Sequence, residues 1–194
     1  MVRLSSLIAA ILLLAFSAHS ASLGEDGLYQ EPWITNTFMD LREDLEEANE
    51  NQQRLLILFE QKGCGYCKRM HEKVYSVPEI SRKLQEDFFV IRINIFGDLE
   101  VTDFDGQTLP EKQIVQKWGV MFTPTMMFFP KKISESITAP QAAVVTMPGA
   151  FAKEQQIFFS IGFYWKAIMA MNIYRNSLQE ILILTRLATG RVRL

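Results

Sequence analysis

Histidine and cysteine are almost missing from this chain: its 194 residues hold two of each. Two cysteines cannot build a disulfide-dense scaffold, and alone they cannot complete a structural zinc site. Ten glycines and seven prolines are too few for a collagen-like or low-complexity chain. An excess of one charge is lacking too. Lys and Arg number 20 against 22 Asp and Glu, a formal charge of −2, which makes no electrostatic case for nucleic acid. What is present is apolar: 48% of the residues are hydrophobic, which excludes disorder and suffices for the core of one ordinary domain.

The apolar run Leu7 to Phe16 falls short of the roughly 20 residues a membrane-spanning helix needs. Arg3 precedes it and Ser17, Ala18, Ser20 and Ala21 follow it. Ala18 and Ser20 fit the −3 and −1 positions of a cleavage site, so residues 1–21 are expected to be a signal peptide, with an uncleaved anchor as the competing reading. No cysteine stands at the cleavage point, which excludes a lipoprotein. Export leads to an oxidising compartment where thiols pair. Losing His19 leaves His71 as the only histidine, which removes Ser–His–Asp catalysis away from residue 71 and any multi-histidine metal site.

Residues 22–35, polar with Gly24, Gly27 and Pro32, predict an irregular lead-in. From Asn36 to Asn51, Phe38, Leu41, Leu45 and Ala48 recur at spacings of three and four, the pattern of an amphipathic helix. Leu55–Phe59 is an apolar run of buried-strand type. Lys68 to Val74 is helix-compatible, and Ser76 with Pro78 predicts a helix running to Asp87. Phe88–Ile95 is the strongest strand signal. Asp105-Gly106, between Val101/Phe104 and Leu109, predicts a two-residue hairpin turn. Thr108 and Glu111 have capping-box spacing with Pro110 in the first turn, ahead of a helix to Trp118 closed by Gly119. Thr125–Phe129 and Ala142–Met147 are further strand candidates, and 153–187 is helix-like. Strands alternating with helices, without a repeat, predict an α/β domain around one central sheet.

Cys64-Gly65-Tyr66-Cys67 stands between the Leu55–Phe59 strand and a helix start. Free N–H groups and the dipole at such a start favour a thiolate. The two-residue spacer lets the second cysteine close on the first. Cys64 is then the attacking thiolate and Cys67 the resolving one, buried deeper along the helix. Two other readings compete. A structural disulfide closing so small a loop would stabilise little. A zinc pair would need two more ligands, with only His71, Glu60 and Glu72 nearby. Compartment and context favour redox chemistry, which needs no cofactor and no metal.

These cysteines, with Phe59-Glu60-Gln61-Lys62-Gly63-Cys64, Met70-His71, Asn94-Ile95-Phe96-Gly97-Asp98, Val101 to Gly106, Lys117 to Val120 and Phe122-Thr123-Pro124-Thr125, resemble a thioredoxin-fold protein over about residues 36–185. Within that superfamily they are similar to the periplasmic thioredoxins encoded with bacterial sulfur-oxidation systems (SoxW type). The resemblance implies a redox-active disulfide at Cys64 and Cys67 and a cis peptide before Pro124. It also implies a reductive role, with electrons arriving from a membrane thiol carrier of the CcdA or DsbD kind. A cis Thr123–Pro124 bond, against the alternative of a trans proline starting an edge strand, would turn the Thr123 backbone toward the disulfide and offer it to a substrate strand.

The chain departs from the thioredoxin pattern in three places. Gly63 replaces the usual Trp before the first cysteine, and Gly65-Tyr66 replaces Gly-Pro. Leu58 occupies the place of the buried acid that accepts the resolving thiol's proton. Glu60, two residues on and on the same strand face, is the candidate substitute, against a solvated strand-end charge. Gly-Tyr and the Thr before Pro124 also match the periplasmic disulfide isomerase DsbC, although this chain lacks room for a separate dimerisation domain. His71, four residues after Cys67, is expected to be a partly exposed helix histidine without a catalytic role, and Lys68 a solvated charge. Phe158, Phe159, Phe163, Tyr164 and Trp165 are expected to be core, with a docking or membrane-surface patch as the alternative.

The expected architecture is thus α/β, a thioredoxin fold. Its central mixed β-sheet is flanked by helices, with a β-hairpin insertion at about 99–109 and a helical C-terminal extension. The expected divisions are 1–21 signal peptide, 22–35 lead-in, 36–187 thioredoxin-like domain and 188–194 basic tail. The expected activity is a monomeric periplasmic thiol-disulfide oxidoreductase with catalytic Cys64 and Cys67. Gly65, Tyr66, Thr123 and Pro124 form its substrate groove, and protein disulfides are its substrates. The alternatives are an isomerase or oxidase of folding proteins and a copper- or thiol-binding module.

Overall fold

The computed structural model describes residues 21–134 and 136–150. The signal-peptide reading (all but Ala21), the helical extension, the aromatic cluster from Phe158 to Trp165 and the basic tail lie outside these residues.

The strand elements at the centre are β3 (Arg54–Glu60), β4 (Phe88–Asn94), β7 (Thr125–Phe128) and β8 (Val145–Pro148). They form one mixed sheet in the order β4-β3-β7-β8. β3 and β4 run parallel, Leu56 opposite Val90, while β7 is antiparallel to both β3 and β8. Six of the seven β3 residues are buried, because apolar layers cover both faces of the sheet. Side chains alternate by period two. Leu55, Ile57 and Phe59 join Phe89, Ile91 and Ile93 in one core. Leu56 and Leu58 join Val90, Met126 and Phe128 in the other.

Helices supply the covers. On the first face lie α1 (Leu41–Glu50), α4 (Glu111–Lys117) and the short α5 (Ala139–Ala142); on the second lie α2 (Gly65–Met70), its π-helical continuation His71–Tyr75, and α3 (Pro78–Asp87). No described helix is long and apolar enough to cross a membrane.

Several elements differ from the sequence-based expectation. The helix expected from Asn36 starts at Leu41. Asp40 caps it in extended conformation, accepting from the backbone N–H of Arg42 at 3.0 Å and of Glu43 at 3.4 Å. Residues 34–39 are drawn out along the sheet instead: Thr35 N–H donates to the Val90 carbonyl at 2.7 Å, and Thr102 N–H to that of Met39 at 2.9 Å. Phe38, expected on the buried helix face, is 97% exposed. The helix after the cysteines begins at Gly65 and widens to a π turn at His71. The lead-in is largely irregular but tied down: β1 (Ser22–Leu23) pairs with β2 (Tyr29–Gln30), and Leu28 and Trp33 are buried.

The 99–109 insertion is a hairpin, β5 (Glu100–Thr102) with β6 (Thr108–Pro110), but its turn is longer than two residues. Asp103 N–H donates to the Gln107 carbonyl, and Gly106 N–H, at φ +83°, to the Asp103 carbonyl. That leaves Phe104, Asp105 and Gly106 in the loop, with Gly106 in the left-handed region that closes three-residue hairpins. Phe104 is fully buried against Phe129, which decides the loop length.

The expected Thr108–Glu111 capping box is absent, since Thr108 is a strand residue. The Glu111 carboxylate accepts instead from Asn94 N–H at 2.8 Å and Leu99 N–H at 3.4 Å. The last strand starts at Val145 rather than Ala142, because Ala139–Ala142 forms a helical turn with Pro140 in its first turn. A fully buried Asp103 binds these pieces together: its carboxylate accepts from Phe104 N–H, Ala139 N–H, Lys117 Nζ and Trp118 Nε1, all at 2.7–2.9 Å.

Candidate active site

The end of β3 and the start of α2 place the two cysteines. Gly63, at φ +74°, turns the chain between them in a conformation that favours glycine. Cys64 is the N-cap residue of α2, with extended φ −70° and ψ 105°. Its sulfur accepts the Cys67 N–H at 2.9 Å, and its carbonyl accepts the Lys68 N–H at 3.0 Å. Cys64 and Cys67 are joined as a disulfide with Cα atoms 5.2 Å apart. Cys64 keeps 9% of its surface and Cys67 1%, so an attacking partner can reach the first and not the second.

Across from Cys64 stands the loop leading into β7. The Thr123–Pro124 peptide is cis. Thr123 Oγ1 donates to Cys64 Sγ at 3.4 Å, and its carbonyl oxygen lies 3.6 Å from the same sulfur. The Pro124 carbonyl accepts the Gly149 N–H at 2.7 Å. The fold thus brings Cys64, Cys67, Thr123 and Pro124 together, although 59 residues separate Cys64 from Thr123. Gly65 faces open space and Tyr66 is 65% exposed. With exposed Met121 and Phe122 preceding Thr123 in sequence, the site presents an exposed apolar edge. A cavity of about 470 Å³ opens elsewhere, beside Arg92, Asn94 and Leu99.

One helical turn beyond Cys67 lies a buried polar cluster. Glu60, read from sequence as either proton acceptor or solvated charge, is 1% exposed, so the solvated reading is wrong. His71 is not a partly exposed histidine but fully buried. Its Nε2 lies 2.8 Å from Glu60 Oε1 and its Nδ1 2.9 Å from Glu31 Oε1. The ring stacks on Tyr29 at 4.7 Å and meets Tyr75 edge-on at 5.1 Å. Burial works against a charged ring, but the hydrogen bonds and charges of Glu31 and Glu60 outweigh it and hold the His71 proton above the ordinary histidine range. Sequence reasoning missed Glu31. It sits in the segment read as an irregular lead-in, and no periodic pattern marks it. Lys68 is a solvated charge, 3.7 Å from Glu72. Among the described residues no group of three His, Cys, Asp or Glu side chains is arranged to hold a metal ion.

Residues 41–135 match the family of thioredoxin-like domains. Among solved structures, the chain is similar to a thioredoxin-fold protein from Helicobacter pylori at 21% identity. That match covers 66% of this chain and 87% of the other, with a TM-score of 0.45. A thioredoxin from Thermus thermophilus matches at 22% identity over 62% and 82% of the two chains, TM-score 0.44. The oxidoreductase DsbH matches at 14% identity over 69% and 91%, TM-score 0.39. Comparison with curated proteins gave no match. With its mixed sheet and flanking helices, the chain has a thioredoxin fold whose CxxC pair is closed as a disulfide.

Proposed function

We propose that this thioredoxin-fold chain is a thiol–disulfide oxidoreductase that reduces disulfides of partner proteins through Cys64 and Cys67. The observation that supports it most directly is the setting of Cys64 Sγ. It caps α2, takes the Cys67 N–H at 2.9 Å and accepts from Thr123 Oγ1 at 3.4 Å. When the disulfide opens, the same N–H supports negative charge on the sulfur. The Cys64 thiolate attacks one sulfur of a partner disulfide, whose S–S bond breaks, and the other partner sulfur leaves as a thiolate. Cys67 then gives up its proton, with Glu60 as acceptor, and attacks Cys64 Sγ. The second partner thiolate leaves, two electrons have passed to the partner, and Cys64–Cys67 is again a disulfide.

Gly65, Tyr66, Thr123 and Pro124 form the groove in this reading, and the Thr123 backbone pairs with an extended partner segment. The pair must be recharged by a dithiol donor. The sequence resemblance points to a membrane thiol carrier of the CcdA or DsbD kind and to a sulfur-oxidation partner. The signal-peptide pattern supports a periplasmic location, and the protein is proposed to act as a monomer.

Cys67→Ser tests the mechanism. It should accumulate a mixed disulfide with the partner, and Cys64→Ser should not. A variant that traps nothing, in a protein that binds copper stoichiometrically, would replace this reading with a metal-binding module. The reduction potential tests the direction. Pairs of this fold run from about −270 mV for reductants to about −120 mV for oxidants. A value at the oxidising end would make the protein an oxidase or isomerase, the direction that Gly65-Tyr66 shares with DsbC.

A further inference from the structure

The two ring nitrogens of His71 lie 2.9 and 2.8 Å from carboxylate oxygens of Glu31 and Glu60. Each contact is a hydrogen bond and needs one proton. With those two protons and no third, the three groups together carry one net negative charge, enclosed in the protein. Glu60 Oε2 is also buried, and it has no hydrogen-bond partner. Cys67 lies one helical turn before His71 on the same buried face, and the His71 N–H donates to the Cys67 carbonyl.

We infer that Glu31 and His71 are positioning residues for the thiol chemistry: with Glu60 they form one buried proton-holding cluster that takes the Cys67 proton at Glu60 Oε2 when the mixed disulfide is resolved. The inference rests on the redox reading of the cysteine pair and adds to it the two residues that make its acceptor work. An imidazolium paired with Glu60 alone would form a neutral unit with little appetite for a further proton. Glu31 supplies the second negative charge, so the cluster starts at −1 and becomes neutral on protonation, which a low-dielectric interior favours. His71 pins Oε1 and leaves Oε2 open. In the step itself the Cys67 S–H bond breaks and a Glu60 O–H bond forms. The sulfur electron pair makes the bond to Cys64 Sγ, and the partner sulfur leaves with the pair of the broken S–S bond.

Among the described residues, few titratable or charged groups surround His71. Glu31 and Tyr29 come from β2 and its continuation, Glu60 from β3, and Cys67 and Tyr75 from its own helix. Arg92 on β4 is engaged by the Tyr29 carbonyl and Asp26, and Lys68 and Glu72 pair at the surface.

The test is the resolution step in the full chain. A Cys64–glutathione mixed disulfide is trapped at acid pH, jumped to pH 5–9, and glutathione release is followed. Glu31→Gln keeps an acceptor for Nδ1–H and removes the charge. It should slow release about tenfold at pH 7, the size of effect expected when a positioned proton acceptor is weakened, and change the pH–rate profile. The Cys64 thiolate absorbance should titrate as in the wild type, and Glu31→Asp should restore the profile. Release in Glu31→Gln that matches or exceeds the wild type overturns the inference. Should Glu31→Gln fail to fold, the wild type alone decides: His71 ring protons must titrate differently in the oxidised and reduced protein, and identical curves overturn the cluster's role. A wild type that forms no mixed disulfide and reduces no insulin defeats the redox reading itself, a result distinct from failure of the cluster.

Discussion

Replacing Asp103 with alanine removes an acceptor shared by four donors. Phe104 N–H, Ala139 N–H and Trp118 Nε1 are buried around it at 2.7–2.8 Å, while Lys117 Nζ at 2.9 Å belongs to a side chain that is 21% exposed. Lysine can turn to water; the other three are stranded. An orphaned buried donor costs about 1–3 kcal/mol, and partial relaxation keeps the sum below three full penalties. The expected loss is therefore about 3–5 kcal/mol, the range for deleting one partner of a buried charged pair. With a urea m-value of about 2 kcal/mol/M, the unfolding midpoint should fall by about 2 M at unchanged m. Asp105→Ala is the matched control. That carboxylate also meets Lys117, at 2.7 Å, but is 25% exposed, so its loss should cost under about 1 kcal/mol. If Asp103→Ala costs no more than Asp105→Ala, the carboxylate does not join the hairpin, α4 and α5 energetically, and the reasoning fails.

Other expectations concern pH, backbone and fold. Burial pushes the Asp44 carboxyl up to about 7 despite its hydrogen bond to Thr37, with neighbouring Asp40, Glu47 and Glu43 adding to the rise. A raised carboxyl favours folding while protonated. Its contribution is complete below about pH 4 and lost as pH rises through 7, so Asp44→Asn should equal wild type at pH 3 and exceed it at pH 8 by up to about 4 kcal/mol. Urea midpoints across pH check this, and equal stability at pH 8 refutes it. His71, held above its ordinary range, acts in the same direction, losing stability as pH rises above neutrality. His71→Gln should flatten that part of the stability–pH curve. Gly63→Ala meets no atom within 4 Å of its new Cβ yet keeps φ at +74°. It should cost about 1 kcal/mol in denaturation while leaving the disulfide able to form.

Much of the fold and part of the site were legible in local sequence. The Leu55–Phe59 run and Phe88–Ile95 mark strands because buried parallel strands need apolar residues on both faces, and both appear within a residue or two of their expected bounds. Gly119 at φ +68° ends α4 where a left-handed residue was expected. Cys64 at a strand-to-helix junction is likewise written in adjacent residues.

Where local patterns failed, a distant partner had won. Phe38 kept the helical spacing of its neighbours, but the main chain of 34–39 bonds to β4 and β5, so the helix waits for Asp40. Glu111 had a capping partner at the right spacing, but its carboxylate went to the backbone donors of Asn94 and Leu99 instead. Phe104 lengthened a turn because it had a core to enter. Polar burial was the least legible. Nothing in the residues around Glu31, His71 or Asp103 says that they go inside. A buried charge is tolerable only where its partners converge, and here the partners Glu31, Glu60 and Ala139 lie 11 to 40 residues away from the groups they meet. By itself the sequence determined the strands, the redox-type cysteine pair and its place at a helix start, since these follow from neighbouring side chains and backbone. Only the tertiary structure decided that His71 would be buried between Glu31 and Glu60, since hydrogen bonds between distant elements exist only once the sheet has assembled.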